Sequence, residues 1–224
     1  MKIKIKFTML MLIIFLCHTM DSSLANDNII NENPNIQLDN SEVQILIKNY
    51  LQTPKRCIEK LSGENVTFKF DNKIKNLYES NRLTEIVELL VKNNLILSWF
   101  EENSSPFSTT IAKNSSRIIP TIKTSTNYPD ITKEWAVKIS GTFYFDRNTK
   151  KVVSVGKPIC SLFTSVNFGS TFKPYITNVT TKSYKLNDYS VNYSASYTMV
   201  AEFLYNSYSP AIFPRVTASY NDGL

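Results

Sequence analysis

Strict alternation of apolar and polar residues in the second half of the chain limits the fold most. Between residues 189 and 198, tyrosine, valine and alanine take the odd positions, and serine, asparagine and threonine take the even ones. A second run, from Lys133 to Phe145, alternates in the same way. A period of two predicts half-buried β-strands with one face on a core. We therefore expect an antiparallel sheet in which Asn187-Asp188 forms a hairpin turn.

Helical periodicity is confined to shorter segments. Apolar residues spaced three and four apart predict one helix from Val43 to Leu51 and a second from Leu83 to Val91. A shorter helical piece is expected between Cys57 and Gly63. A last one is expected over 200–208, because Pro210 follows it and cannot continue a helix.

These segments together predict an α+β fold. A helical N-terminal part is followed by an antiparallel sheet of about four or five strands, tied to it by one disulfide. The predicted organisation has five parts: a signal peptide over 1–25, a flexible asparagine-rich leader over 26–40, a helical part over 41–100, a loop-rich connector over 101–132, and an antiparallel β part with a short C-terminal helix over 133–224.

The first 25 residues have the three parts of a secretory signal. Three lysines precede an apolar stretch from Phe7 to Cys17, and small residues offer a cleavage site between Ala25 and Asn26. The stretch is too short for a membrane anchor, and the bulky residues before Cys17 disfavour lipid attachment there. We expect a periplasmic or secreted protein with no transmembrane segment in its mature form. The Lys-Ile-Lys-Ile-Lys start and the Asn/Lys/Ile-rich composition indicate a bacterial source.

Two cysteines remain after this cleavage. In an oxidising compartment such a pair usually forms a disulfide, so we expect a structural bond between Cys57 and Cys160. A reactive thiol is the alternative, but it lacks a histidine partner and a CxxC arrangement.

The absence of histidine from the mature chain restricts its chemistry. His18 is the sole histidine and lies in the signal peptide. Catalysis would then depend on paired carboxylates. The acids near strand ends are Glu101, Glu102, Asp130, Glu134 and Asp146. Because no nucleophile and base are paired, we expect no enzyme, no catalytic residue, no metal site and no cofactor.

Tyrosines and lysines are the candidate binding residues. Tyr189, Tyr193 and Tyr197 share one face of the predicted strand, where they line either a binding surface or, as we favour, the core. Lys150 and Lys151 lie at the preceding hairpin. They could meet an acidic partner or anionic lipid, although a solvated turn is the simpler interpretation.

Three functional hypotheses follow. The leading one is an exported, non-enzymatic bacterial binding protein whose partner is another protein, such as an accessory, inhibitor or immunity-type protein. The alternatives are a carboxylate-dependent hydrolase acting on cell-wall or other glycans, and a structural subunit of a surface assembly. Nucleic acid is excluded as a partner, because cleavage lowers the formal charge from +6 to only +4 and the lysines are scattered.

Overall fold

A computed structural model describes residues 37–38, 40–102, 108–166, 168, 171–205 and 208–224. Within these ranges the helices are α1 (Asn40–Gln52), α2 (Thr67–Glu79) and α3 (Leu83–Lys92). The strands are β1 (Gln37–Leu38), β2 (Arg56–Lys60), β3 (Leu95–Glu102), β4 (Thr110–Thr124), β5 (Thr132–Asp146), β6 (Val152–Val155), β7 (Ile159–Val166), β8 (Phe172–Asn187), β9 (Ser190–Phe203), β10 (Ala211–Ile212) and β11 (Val216–Gly223).

The first of two sheets is built around β5. Six of its seven strands follow the order β1-β7-β5-β4-β3-β2, and the seventh, β6, also pairs with β5. Every pairing is antiparallel. The strand predicted from Lys133 to Phe145 is confirmed, and its alternating residues Trp135, Val137 and Ile139 are almost fully buried on one face.

The second sheet is built around β9. This strand pairs with β8 along one edge and with β10 and β11 along the other. The alternation that begins at Tyr189 is confirmed, because Val191, Tyr193, Ala195 and Tyr197 are all buried against the first sheet. The predicted hairpin joins β8 to β9, but its two turn residues are Asp188 and Tyr189, one position later than expected, because Asn187 pairs with Ser190.

The two faces of the first sheet have different coverings. The helices cover one face, where Leu97, Ile118 and Ala136 of the sheet share a core with helical residues such as Ile47 and Ile86. The second sheet covers the opposite face. The described chain is thus a three-layer structure in which one sheet is buried on both sides.

A row of small residues explains how closely the two sheets approach. Four residues are register partners across four neighbouring strands: Cys57, Ser98, Ser115 and Gly141. Large side chains of the second sheet fill the space above this row. The Tyr220 hydroxyl lies 3.0 Å from Ser115 Oγ, and the Tyr193 ring covers Gly141.

The predicted fold class is wrong. The described chain is mostly antiparallel β-structure in two sheets, instead of a helical part followed by one sheet of about four or five strands. The helices at 43–51 and 83–91 are confirmed as α1 and α3. However, the segment 41–100 also contains β2 and β3, which extend the first sheet beneath those helices.

The short segment that follows Cys57 was given the wrong period. The helix expected between Cys57 and Gly63 is replaced by β2, which pairs with β3 and sends Ile58 into the helix-covered core. The apolar residues that follow belong to α2, where Phe70, Ile74 and Leu77 form one buried helical face. Short apolar runs fit both periods, and tertiary packing decides between them.

The expected connector over 101–132 contains the long strand β4. A proline such as Pro120 would ordinarily interrupt a central strand. However, β3 pairs with β4 only as far as Arg117, so Pro120 lies where β4 has a partner on the β5 side alone. A proline is tolerated there because its missing N–H faces no neighbouring strand.

The expected C-terminal helix over 200–208 is also absent from the described residues of that range. Strand β9 continues through Val200 and Ala201 to Phe203, and Ala201 pairs with both Pro174 and Ala211. Residues 206–207 lie outside the described residues. Pairing on both edges therefore outweighs the weak helical signal of this segment.

The predicted disulfide is wrong. Cys57 and Cys160 are both free thiols, the first in β2 and the second in β7 of the same sheet. Four strand spacings of about 4.8 Å separate these strands, which places the thiols on the order of 19 Å apart. A disulfide requires Cα atoms within about 7 Å, so the geometry forbids the bond.

The predicted signal peptide with its Ala25–Asn26 cleavage site, and the leader as far as residue 36, lie outside the described residues. In the part of the chain that is described, no helix combines the length and apolar character needed to cross a membrane.

Candidate functional site

The structure separates the three tyrosines that were predicted to share a face. Tyr193 and Tyr197 are fully buried between the sheets, as favoured from the sequence. The Trp135 indole N–H donates to the Tyr197 hydroxyl over 3.1 Å. Tyr189 instead lies in the β8–β9 turn and is 51% exposed. Of the three, Tyr189 alone is available to a partner.

Tyr189 and the predicted lysines meet at one end of the molecule. Asp188 connects them, because its backbone oxygen accepts from Val152 N at 2.7 Å and its carboxylate lies 2.8 Å from Lys151 Nζ. The turns before β6 and β9 are therefore held side by side. Tyr184 and Leu186, also exposed, precede the second turn. We call the set Lys150, Lys151, Tyr184, Leu186 and Tyr189 the hairpin-end surface.

This surface carries excess positive charge. Lys151 and Lys185 both contact Asp188 at 2.8 Å, and these hydrogen bonds lower the pKa of Asp188 to about 2. Lys150 has a positive φ of 60°, and its ammonium lies 6.0 Å from the centre of the Phe145 ring. This end of the molecule therefore has two more positive than negative side chains. The cations are Arg147, Lys150, Lys151 and Lys185, and the acids are Asp146 and Asp188.

A polar cleft lies on the helix side of the first sheet. Its volume is about 370 Å³, and its lining residues are Asn49, Gln52, Thr53, Trp99, Glu101 and Asn114. One wall is held by Arg56, which donates to the backbone oxygen of Thr53 at 3.0 Å and makes two 3.0 Å bonds to Asp71. The cleft is therefore bordered by a rigid loop.

The opposite wall presents oriented polar groups beside an indole. Asn114 Nδ2 donates to Glu101 Oε1 at 2.8 Å, and Thr142 Oγ1 donates to Asn114 Oδ1. Trp99 is the register partner of Asn114 and is half-buried. An aromatic surface next to a carboxylate and several amides is suited to a hydroxyl-rich ligand.

The structure places the acids near strand ends, which are the candidates of the hydrolase hypothesis, in different parts of the molecule. Glu101 lines the cleft, whereas Asp130 is exposed in a turn. Asp146 accepts from the backbone N–H groups of Asn148 and Thr149, and these bonds lower its pKa. Burial raises the pKa of Glu134. The side chain of Glu102 lies outside the described residues. These positions bring no two of the four described acids together.

A buried charge cluster lies between the sheets, and no local pattern in the sequence predicted it. Lys113 Nζ lies 2.8 Å from Asp222 Oδ1, 3.0 Å from Glu59 Oε1 and 3.1 Å from Glu59 Oε2, and it also donates to the Gly223 oxygen. The Lys113 and Asp222 side chains are 1% and 0% exposed. Lys113 and Asp222 are 109 residues apart, so no local sequence pattern could predict their contact.

The cluster contains one more acid than base. Burial raises the pKa of Glu59, and the nearby charge of Asp222 raises it further, although Lys113 opposes both effects. Burial lowers the pKa of Lys113, but the charges of Asp222 and Glu59 raise it above its ordinary value. The resulting arrangement is a buried ammonium between two acidic side chains, of which Glu59 takes up a proton more readily than an ordinary glutamate.

The outer edge of the second sheet is formed by β8, which pairs with β9 alone among the described strands. An exposed strand edge can bind another strand. Here the edge contains Lys173, Lys182 and Lys185, and a register shift with a positive φ at Asn178 interrupts it. Lysines and bulges are features that oppose edge pairing, so β8 offers little support for a strand-assembled subunit.

Comparison with known proteins adds nothing to this description, since no family model, no curated protein and no solved structure matches the chain.

Proposed function

We propose that this chain is an exported, non-enzymatic bacterial binding protein that holds an acidic protein partner on its hairpin-end surface. The observation that supports the proposal is the pairing of two turns through Asp188, which brings Lys150, Lys151 and Tyr189 together. The signal sequence supports export, and the lack of histidine after cleavage supports binding over catalysis.

The composition of this surface matches a protein interface. Tyr184 and Tyr189 are 53% and 51% exposed. Tyrosine is enriched at interfaces because it combines a large apolar ring with a hydroxyl that can hydrogen-bond. The surrounding lysines favour a partner with negative surface charge, mainly by accelerating association.

A protein partner fits this surface better than anionic lipid. Lipid-binding segments usually concentrate about four to eight cations with no compensating acid. Here Asp188 neutralises part of the charge of Lys151 and Lys185. The exposed aromatics are tyrosines, which suit the polar and apolar mixture of a protein surface.

Affinity capture from a periplasmic extract tests the proposal. The mature protein should capture an acidic protein in stoichiometric amount, and a Lys150→Glu/Lys151→Glu variant should lose it. The matched control is Lys123→Glu/Lys173→Glu. Lys123 lies in β4 and Lys173 in β8, each at the end of its strand that is far from the hairpin-end surface. Equal capture by all three proteins, or binding to phosphatidylglycerol vesicles in place of a protein, would contradict the proposal.

The cleft at Trp99 supports a second candidate function, the binding of a neutral or amino-sugar oligosaccharide. Its volume of about 370 Å³ lies at the small end of ligand pockets and has room for a sugar ring or two. The oriented pair Glu101 and Asn114 offers a carboxylate and an amide beside the indole. This candidate shares its ligand class, a glycan, with the hydrolase hypothesis, but it requires binding of the glycan and no cleavage.

Tryptophan fluorescence tests this second candidate. Trp99 and Trp135 are the two tryptophans, and Trp135 is buried. In a Trp135→Phe protein, chitotriose or maltotriose should change the Trp99 emission saturably. Glu101→Gln should weaken binding about tenfold, because it removes a charged hydrogen-bond acceptor. Asp130→Asn is the control, and a failure of both sugars to change the emission excludes the candidate.

A further inference from the structure

We propose that Lys113 and Asp222 condense into an amide that covalently joins the two sheets, with Glu59 transferring the protons. Lys113 lies in β4 of the first sheet and Asp222 in β11 of the second. The product would be an internal isopeptide bond near the end of the last strand. This modification is independent of the binding function proposed above.

The reacting atoms are already held together. Lys113 Nζ lies 2.8 Å from Asp222 Oδ1, within reach of the carboxyl carbon. Both side chains are almost completely shielded from water. Two reactants that are held in contact react as if at a very high concentration, so an amide can form without prior activation of the acid.

Two aromatic rings border the reacting groups. The rings of Phe100 and Phe143 lie on either side of the ammonium, each with its centre 5.8 Å from Lys113 Nζ. Burial lowers the pKa of Lys113, but the charges of Asp222 and Glu59 outweigh this effect, so the attacking amine is the minor form, made when Lys113 passes a proton to Asp222. The Asp222 Oδ2 atom is buried and has no hydrogen-bond partner among the described residues, so it can leave.

Glu59 is placed to transfer protons in the condensation. Its Oε1 and Oε2 atoms lie 3.0 and 3.1 Å from Lys113 Nζ. The Nζ lone pair attacks Cγ of Asp222, a Cγ–N bond forms, and one Cγ–O bond breaks. Protonated Glu59, which contacts Nζ in the structure, must turn toward the leaving Oδ2 to donate its proton there, and it receives one proton from Nζ. One water leaves, Glu59 ends in its starting state, and no oxidant or other reactant is consumed.

Intact mass spectrometry of the denatured, reduced protein tests the proposal. After a day at neutral pH, the measured mass of the folded chain should be one water less than the mass calculated for the unmodified linear chain. A tryptic digest should contain a branched peptide that joins the segments around Lys113 and Asp222. A folded chain of full linear mass would overturn the proposal and leave Lys113–Asp222 as an ion pair.

Three variants distinguish a Lys113–Asp222 amide from an ion pair that only stabilises the fold. Lys113→Arg keeps the charge but should restore the full mass, because its guanidinium does not form the amide. Glu59→Gln should slow or abolish the mass loss in a protein whose circular dichroism is unchanged. Lys138→Arg, in the Lys138–Glu42 pair on the helix side, should leave the mass loss intact. Undiminished mass loss in Glu59→Gln would refute the role of Glu59.

Discussion

Tyr193 of the second sheet rests directly on Gly141 of the first. A Cβ atom built at Gly141 lies only 2.4 Å from Cε1 and Cζ of the tyrosine ring. No side chain at position 141 is compatible with this packing. The contact therefore sets how closely the two sheets approach at the middle of β5.

Substitution of Gly141 by alanine should destabilise the protein. The added methyl group forces the Tyr193 ring out of its place, and overpacking of this kind typically costs about 1–3 kcal/mol. Urea unfolding measures the loss. In a Tyr193→Leu background, where the ring is gone, the same Gly141→Ala change should cost much less. An equal cost in both backgrounds would show that the ring is not the obstacle.

The two buried tyrosines should respond differently to loss of their hydroxyls. Tyr197→Phe leaves the buried Trp135 N–H without its acceptor, which should cost about 1–3 kcal/mol. The Tyr193 hydroxyl is buried without a hydrogen-bond partner among the described residues, so Tyr193→Phe should be neutral or stabilising. The free energies of unfolding of the two variants test this, and equal losses would be inconsistent with the assigned bonds.

Stability should fall in acid partly through Asp71. Burial raises the pKa of this carboxyl, but hydrogen bonds from Arg56 and Tyr50 outweigh it and lower the pKa below the ordinary 3.8. The folded pKa is the lower one. The carboxylate therefore stabilises the fold above pH 3.8, and this contribution is lost as the pH falls through the folded pKa.

An Asp71→Asn variant isolates this contribution. At neutral pH it should lose about 1–3 kcal/mol, because Asp71 accepts hydrogen bonds from a charged donor. Near pH 2 the difference from the unchanged protein should shrink. Asp130→Asn, in an exposed turn, should have little effect at either pH. Parallel stability curves for Asp71→Asn and the unchanged protein would rule out the assigned linkage.

The cysteines should be free and unreactive in the folded protein. Burial raises the pKa of Cys57 to about 12 and that of Cys160 to about 11, so neither forms a thiolate at neutral pH. In protein cleaved after Ala25, a thiol reagent should find two groups in denaturant without prior reduction. Unfolding should also be the same with and without reductant. Thiols that appear only after reduction would contradict the structure.

Local pattern predicted the elements whose period is regular over many residues. The alternation from Trp135 to Phe145 identified β5, and the stripe from Leu83 to Leu90 identified α3. The core position of Tyr193 and Tyr197 was also the favoured interpretation. In each case the residues on one face meet a single apolar core, and that produces a pattern in the sequence.

The remaining structure depends on distant partners. Strand β4 resembled a loop because its residues facing the second sheet include Lys113, Ser115 and Arg117. Lys113 and Ser115 are buried and Arg117 is half-buried, because Asp222, the Tyr220 hydroxyl and the Ser219 backbone oxygen contact them from more than 100 residues away. The prediction of a disulfide was wrong for the same reason, because the sequence alone does not show how many strands separate two cysteines.

Hydrogen exchange of the captured complex is the decisive test of protein binding at the hairpin-end surface. We expect slower exchange of backbone amides in residues 148–153 and 184–190 on binding, and no change near Trp99 or in β8 before residue 180. Protection limited to the cleft around Trp99, with the amides around Lys151 and Tyr189 unaffected, would contradict the account.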